Sequence, residues 1–319
     1  MSALLVLLAL TQPPGLPLEV AAWHRPPPLM LPDQVYRGLS AWSRHRAPPF
    51  PSLLAPRPLA PLPSFSPRPP APLPPALAMR EEAAYRVGYG VIDSIGELHL
   101  SITDEHAEGG RRLIKVAGRG QGAILGLGRT DKSVDGDFDP VALTSRRWTM
   151  ARHGGGSDSD ALTDVMDQAQ AGLVSMTRQK PGAPVATRQA AFAVTTLDPV
   201  GLLMRLRVAP PAPGQPLVLQ LLDGQALWRI TLRWAGREPL PDSDAPLPAV
   251  RVDGRADPIF YDGRDASDRP RRTFSVWLSD DGARLPLRLT MPIGIADVVV
   301  QLLHATRTPR AGAPAAALR

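Results

Sequence analysis

From Tyr85 onward, apolar residues recur at every second position, the period of half-buried β-strands. In AYRVGYGVI, Tyr85, Val87, Tyr89 and Val91 share one face. In GELHLSIT, Leu98, Leu100 and Ile102 point one way, and Glu97, His99, Ser101 and Thr103 the other. Asp93-Ser94 between them is the expected hairpin turn. RRLIKVAG continues the meander near 111–118, and the Gly-interrupted GQGAILGLG of 120–128 predicts a helical turn or a strand bend. TDKSVDGDFD and ALTSRRWTMA predict a strand pair around Asp139-Pro140. VMDQAQ and GLVSMTRQK predict another through Ala171-Gly172, and PGAPVATR predicts a loop.

The period then changes once. LDPVGLLMRLRV, residues 197–208, predicts the one convincing helix: Asp198 suits the N-cap and Pro199 the first helical position. Leu202, Leu203 and Leu206 form its apolar stripe, and APPAPG ends it. PLVLQLLDGQALWRITLRWAG returns to period two, with Asp223-Gly224 as a two-residue type I′ turn. AVRVDGRAD adds a strand near 249–256. FSVWLSDDGARLPLRL predicts a hairpin about Asp281-Gly282, which pairs Trp277 with Pro286 and Leu278 with Leu285. Phe274, Val276, Leu278, Leu285, Leu287 and Leu289 then share one face. On the other, Trp277 locks the hairpin, with Arg284 and Arg288 on the diagonals. The missing N–H of Pro286 implies a bulge or an edge against 295–303. IADVVVQLLHA closes the domain. The expected fold is mainly β: an antiparallel meander of about twelve strands forming a strongly curved sheet or half-open barrel. One short helix covers the concave side, and a disordered Pro-rich segment precedes the whole.

Composition sets the boundaries. Twenty of the 38 prolines fall in residues 1–78, so the β domain is cut at 79–310, with 311–319 as a tail. Residues 23–78 are expected to form an extended Pro-rich linker without a core. The apolar run Ala3–Leu10 is too short to span a bilayer and fits a signal-peptide h-region within residues 1–22 or a misplaced start, with Val20-Ala21-Ala22 as a passable cleavage site. Six arginines against Glu19 and Asp33 place most of the net charge of +6 before the β domain. Arginine in the β domain is scattered among acids and aromatics are few, which argues against nucleic acid as a partner. The chain has no cysteine, which excludes disulfides, thiolate metal sites and Cys nucleophiles.

The stretches AYRVGYGVIDSIGELHLSI, VDGDFDPVAL, LDPVGLLMRLR ahead of LLDGQALWRITLRWAGRE, and VWLSDDGARLPLRL occur in an order specific to one bacterial family. Residues 82–308 resemble that family, the domain of unknown function numbered thirty-one-oh-eight. The resemblance implies an exported protein of the Gram-negative periplasm or cell envelope. It also implies strand elements similar to those of periplasmic lipoprotein carriers, which hold an acyl chain in an open β-barrel. It carries no catalytic residues. The weak signal sequence and the long Pro-rich lead depart from a typical member.

Candidate chemistry is sparse. His24, His45, His99, His106, His153 and His304 fall at none of the HxH, HExxH or HxxxH metal spacings. His99 and His106 flank a turn; His304 continues the stripe of Val298, Val300 and Leu302. HGGGSDSD at 153–160 lacks the context of a phosphate loop or the spacing of an EF-hand, and no GxSxG surrounds a serine. Turn chemistry accounts for Asp137, Asp139, Asp280 and Asp281. The expected function is non-catalytic and cofactor-free: an envelope protein binding a lipid or other apolar ligand in the concavity. The alternative is a structural or adaptor module for envelope partners, with the Pro-rich segment as spacer. The residues singled out, Asp198, Pro199, Asp223, Gly224, Trp277, Asp281, Gly282, Arg284 and Pro286, are structural.

Overall fold

The computed structural model describes residues 79–106, 112–124, 128–154, 162–170, 173–179, 182, 184–192, 196–223, 226–243, 246–260, 265–266, 270–294 and 296–309. The signal-peptide, linker, spacer and tail expectations for 1–22, 23–78 and 311–319 lie outside these residues, as does most of the 153–160 loop.

The first half of the domain is a meander of eight strands: β1 (Met79–Tyr89), β2 (Ile92–His106), β3 (Arg112–Ile124), β4 (Gly128–Asp139), β5 (Thr144–Gly154), β6 (Leu162–Gln170), β7 (Leu173–Gln179) and β8 (Ala186–Ala191). A two-residue strand, β9 (Thr196–Leu197), leads into the helix α1 (Pro199–Val208). The second half comprises β10 (Leu217–Asp223), β11 (Ala226–Pro239), β12 (Pro248–Ile259), β13 (Arg272–Ser279), β14 (Pro286–Ile293) and β15 (Ala296–Pro309).

All fifteen strands form one sheet, in the order β8-β7-β6-β5-β4-β3-β2-β1-β15-β14-β13-β12-β11-β10-β9. The first and last strands meet in its middle, with Val87 opposite Val300. Among the described residues the sheet is not closed by hydrogen bonds, since β8 and β9 end it. It is nonetheless bent round the helix. α1 packs against β4 and β5 from one half and β9 and β10 from the other, and β9 reaches β5.

Several sequence expectations change. Among the described residues there are fifteen strands, not about twelve. β8 begins at the end of the segment read as loop, and β9 pairs in parallel with β10, so the sheet is not wholly antiparallel. The β1–β2 turn is Gly90-Val91 rather than Asp93-Ser94. Gly90 takes φ 57°, a left-handed conformation that glycine adopts without a Cβ penalty, so the strand can reverse early. GQGAILGLG contributes the end of β3, up to Ile124. In the β10–β11 hairpin Asp223 pairs with Ala226, so the two connecting residues are 224 and 225, not Asp223-Gly224. Asp223 is buried instead of turning in solvent, and Gly224 lies outside the described residues.

The concave face carries the main core. Leu98, Leu100, Ile114, Val134, Phe138, Trp148 and Met150 line it from one half, and Ile230, Leu232, Val252, Val276 and Met291 from the other. α1 buries nearly every residue rather than one stripe, as a helix enclosed on all sides must. Its approach is close because Gly136 of β4 has no side chain: a Cβ there would come within 2.9 Å of Val200. On β12, Gly254 is covered by the ring of Phe274 opposite it on β13.

Candidate functional site

α1 is fixed at both ends by polar contacts. At its start, Asp198 Oδ1 accepts from the Gly201 N–H at 2.7 Å, and the Asp198 N–H donates to Ser145 Oγ at 3.0 Å. Asp198 is completely buried, and among the described residues its Oδ2 has no hydrogen-bond partner. Burial therefore pushes its carboxyl up to about 7, against the hydrogen bonds from Gly201, Ser145 and Val200.

At its end, Arg207, only 1% exposed, donates through Nη1 and Nη2 to the two oxygens of Glu81 on β1, both at 2.8 Å. Its Nε and Nη2 also reach the Ala283 carbonyl. Arg307 of β15 donates to Glu81 Oε2 at 3.1 Å and lies 3.8 Å from Asp281. Losing Glu81 would strand the buried Arg207 charge at about 3–5 kcal/mol, whereas Glu81 without Arg207 keeps its pair with Arg307.

The loop that receives the helix is the β13–β14 connection, and it is wider than a two-residue turn. Asp281 Oδ1 accepts from Ser279 Oγ at 2.6 Å and from the N–H groups of Ala283 and Arg284 at 3.0 Å. Burial pushes the Asp281 carboxyl up, but these hydrogen bonds and Arg307 outweigh it and hold the group below its ordinary value. The Ser279 N–H closes the loop on the Leu285 carbonyl at 2.8 Å. Gly282 is exposed within it. Arg284 takes φ 46° and donates to the last carbonyls of the helix, Arg207 and Val208, at 3.0 and 3.1 Å. A cation at a helix C-terminus both fills orphan acceptors and opposes the macrodipole.

This loop shifts the expected register. Trp277 pairs with Arg288, not Pro286, and Pro286 pairs with Leu278. Leu287 is the extra residue of a bulge, so it and Leu285 turn to the convex side while Leu289 stays in the concave core. Trp277 is correspondingly not on a wet face. It is 6% exposed, packed with Leu240, Ala249, Leu285 and Leu287 in a second, convex-side cluster. Its Nε1 donates to Glu238 at 2.7 Å, and the Arg251 guanidinium lies 5.7 Å from the ring. Pairing of β14 with β15 starts only at Arg288, which leaves Pro286 without a ladder partner there.

Beside this loop the concave side opens into a cavity of about 340 Å³. Pro210, Trp234, Val250 and Leu278 give it apolar walls. Arg237, Asp280, Asp281 and Arg284 form its rim, with Arg237 and Asp280 paired at 3.0 Å. The rim thus carries two acidic and two basic groups. Among the described residues no group of three His, Asp or Glu is placed to hold a metal, and no helix is long and apolar enough to cross a membrane. His99 is exposed, 3.9 Å from Glu97.

Asp281 and Arg284 come together with the end of α1, whereas Asp198-Pro199 lies at its other end and Trp277 and Pro286 serve the convex side or the ladder. Glu81, Arg207 and Arg307 went unmarked in sequence. The one available signal was a second arginine, two residues after Arg205, closing the run LLMRLR. Two of the stretches that carry the family resemblance, LDPVGLLMRLR and VWLSDDGARLPLRL, thus meet at one helix terminus.

A family described as "Protein of unknown function (DUF3108)" matches residues 84–302. The chain belongs to this family. No curated protein matches this DUF3108 member. Among solved structures it is similar to a β-barrel-like protein of the DUF1849 family from Brucella abortus, at 9% identity and TM-score 0.45, over 72% of this chain and 98% of that one. It is also similar to LprF from Mycobacterium bovis, at 12% identity and TM-score 0.24, over 75% of this chain and 88% of that one.

Proposed function

We propose that the protein is a non-catalytic binding protein of the cell envelope, taking a small apolar or amphipathic ligand at the mouth of its concave sheet. One observation carries this reading: α1 fills the concavity elsewhere, and beside its end an apolar-walled cavity of about 340 Å³ remains open. Small-molecule sites run from about 300 to 1,000 Å³. The space therefore suits a single short acyl chain or a ligand of similar bulk, not a whole two-chain lipid. Envelope placement rests on the family resemblance and on the apolar run Ala3–Leu10.

The test is uptake of a fluorescent single-chain fatty acid by the full chain, with Val250→Trp as the variant that fills the cavity. Saturable binding lost in Val250→Trp, at an unchanged melting temperature, is the expected result. Absence of uptake, or uptake indifferent to Val250→Trp, removes the reading. For the compartment, mass spectrometry of the protein from its own cells should find a processed N-terminus; one beginning at Met1 would count against export.

A further inference from the structure

We infer that Lys132 and Arg152, facing each other on the concave side of β4 and β5, form a binding site for an anionic group of the phosphate or carboxylate class. The register places them directly opposite one another. Both lie on the concave face, because pairing is regular from there to Val134↔Met150 and Gly136↔Trp148, whose side chains or contacts belong to the core around α1. Like charges directly opposite in a sheet repel, and Lys132 is partly buried, which weakens the screening of that repulsion by solvent. Lys132 lies four residues along β4 from Gly136, about 13 Å beyond the helix contact at the rise of a β-strand.

Among the described residues the Lys132 ammonium makes no hydrogen bond or ion pair. Burial first, and Arg152 second, lower it to about 8, while Asp223 of β10 raises it. Among the described residues, the charged groups acting on Lys132 are thus one cation, Arg152, and one carboxylate, Asp223. On its other side Lys132 meets Gly120 of β3, which has no side chain to cover it. Arg152 is exposed, so the pair is open to an incoming anion at one end and sheltered at the other. An anion bridging the ammonium and the guanidinium would turn the repulsion into two charge-assisted hydrogen bonds. This site is independent of the mouth cavity, which none of these residues lines.

The experiment measures calorimetric binding of dodecanol, dodecanoate, dodecyl phosphate and inorganic phosphate to the full chain and to Lys132→Met. Anions should bind at least tenfold more tightly to the wild type than to Lys132→Met, and the unliganded variant should melt no lower than the wild type, since a repulsion has been removed. If inorganic phosphate matches dodecyl phosphate, the source is a free anion. If only the chain-bearing anions bind, it is an amphiphile's head. Arg152→Met, at an exposed position, serves as the second variant should Lys132→Met fold poorly. Anion binding absent from the wild type, or equal in wild type and variants, overturns the inference. Dodecanol binding that survives such a result leaves the mouth-cavity reading standing, and its absence with anion binding intact removes only that reading.

Discussion

Asp198 concentrates the electrostatic cost of the helix in one residue. Its folded value of about 7 lies above the ordinary 3.8, so the folded chain holds this proton more tightly than the unfolded one. Stability from this group is full below about pH 4, declines as pH rises towards 7, and is constant above. Asp137, also raised chiefly by burial, adds to the same slope; Lys132, lowered to about 8, acts only at higher pH. Asp198→Asn keeps an acceptor for Gly201 but cannot ionise. Its melting temperature should therefore fall less than that of the wild type between pH 5 and 8, and parallel pH profiles would refute this. The N-cap was legible because capping is local: Asp, then Pro, then an apolar run. The pairing of Glu81 with Arg207 spans 126 residues and was invisible for that reason.

At the level of elements, close fit between α1 and its strands decides what the sequence tolerates. A Cβ on Gly201 would run into Ser145 Oγ, the acceptor for the Asp198 N–H. Gly201→Ala should therefore cost about 1–3 kcal/mol for overpacking, with the displaced hydrogen bond adding about 0.5–1.5 kcal/mol. Combining it with Ser145→Ala should cost less than the two single changes together, because the clash disappears; strict additivity in denaturant melts would show that the two do not share a site. The β13–β14 hairpin shows where pattern reading fails. Alternation placed both strands, but the register depended on Asp281 accepting three hydrogen bonds, which favours a wide loop over the two-residue turn. That loop sends Leu285 and Leu287 to the convex side, where they cover Trp277. β9 was missed on other grounds, since two residues offer no period.

For the sheet as a whole, the decisive pairing is between β1 and β15. Two meanders, β1–β8 and β10–β15, are each local and each readable from alternation and turns. Nothing local reports that their outermost members join, and the enclosure of α1 between β4 and β10 is equally remote in sequence. Deleting residues 296–309 removes the strand that lies hydrogen-bonded between β1 and β14. The expected outcome is loss of the single cooperative melting transition by circular dichroism, and a retained sharp transition would show that each half stands alone. The same seam has a consequence in time. During synthesis β1 appears first among these strands and its partner last, so the growing chain carries an unsatisfied strand edge at β1, and later another at β14, until residue 309 is made. Loop closure over such a separation is slow, and exposed edges invite pairing with other chains. The nascent protein therefore has its greatest need of a chaperone in the interval before its last strand emerges.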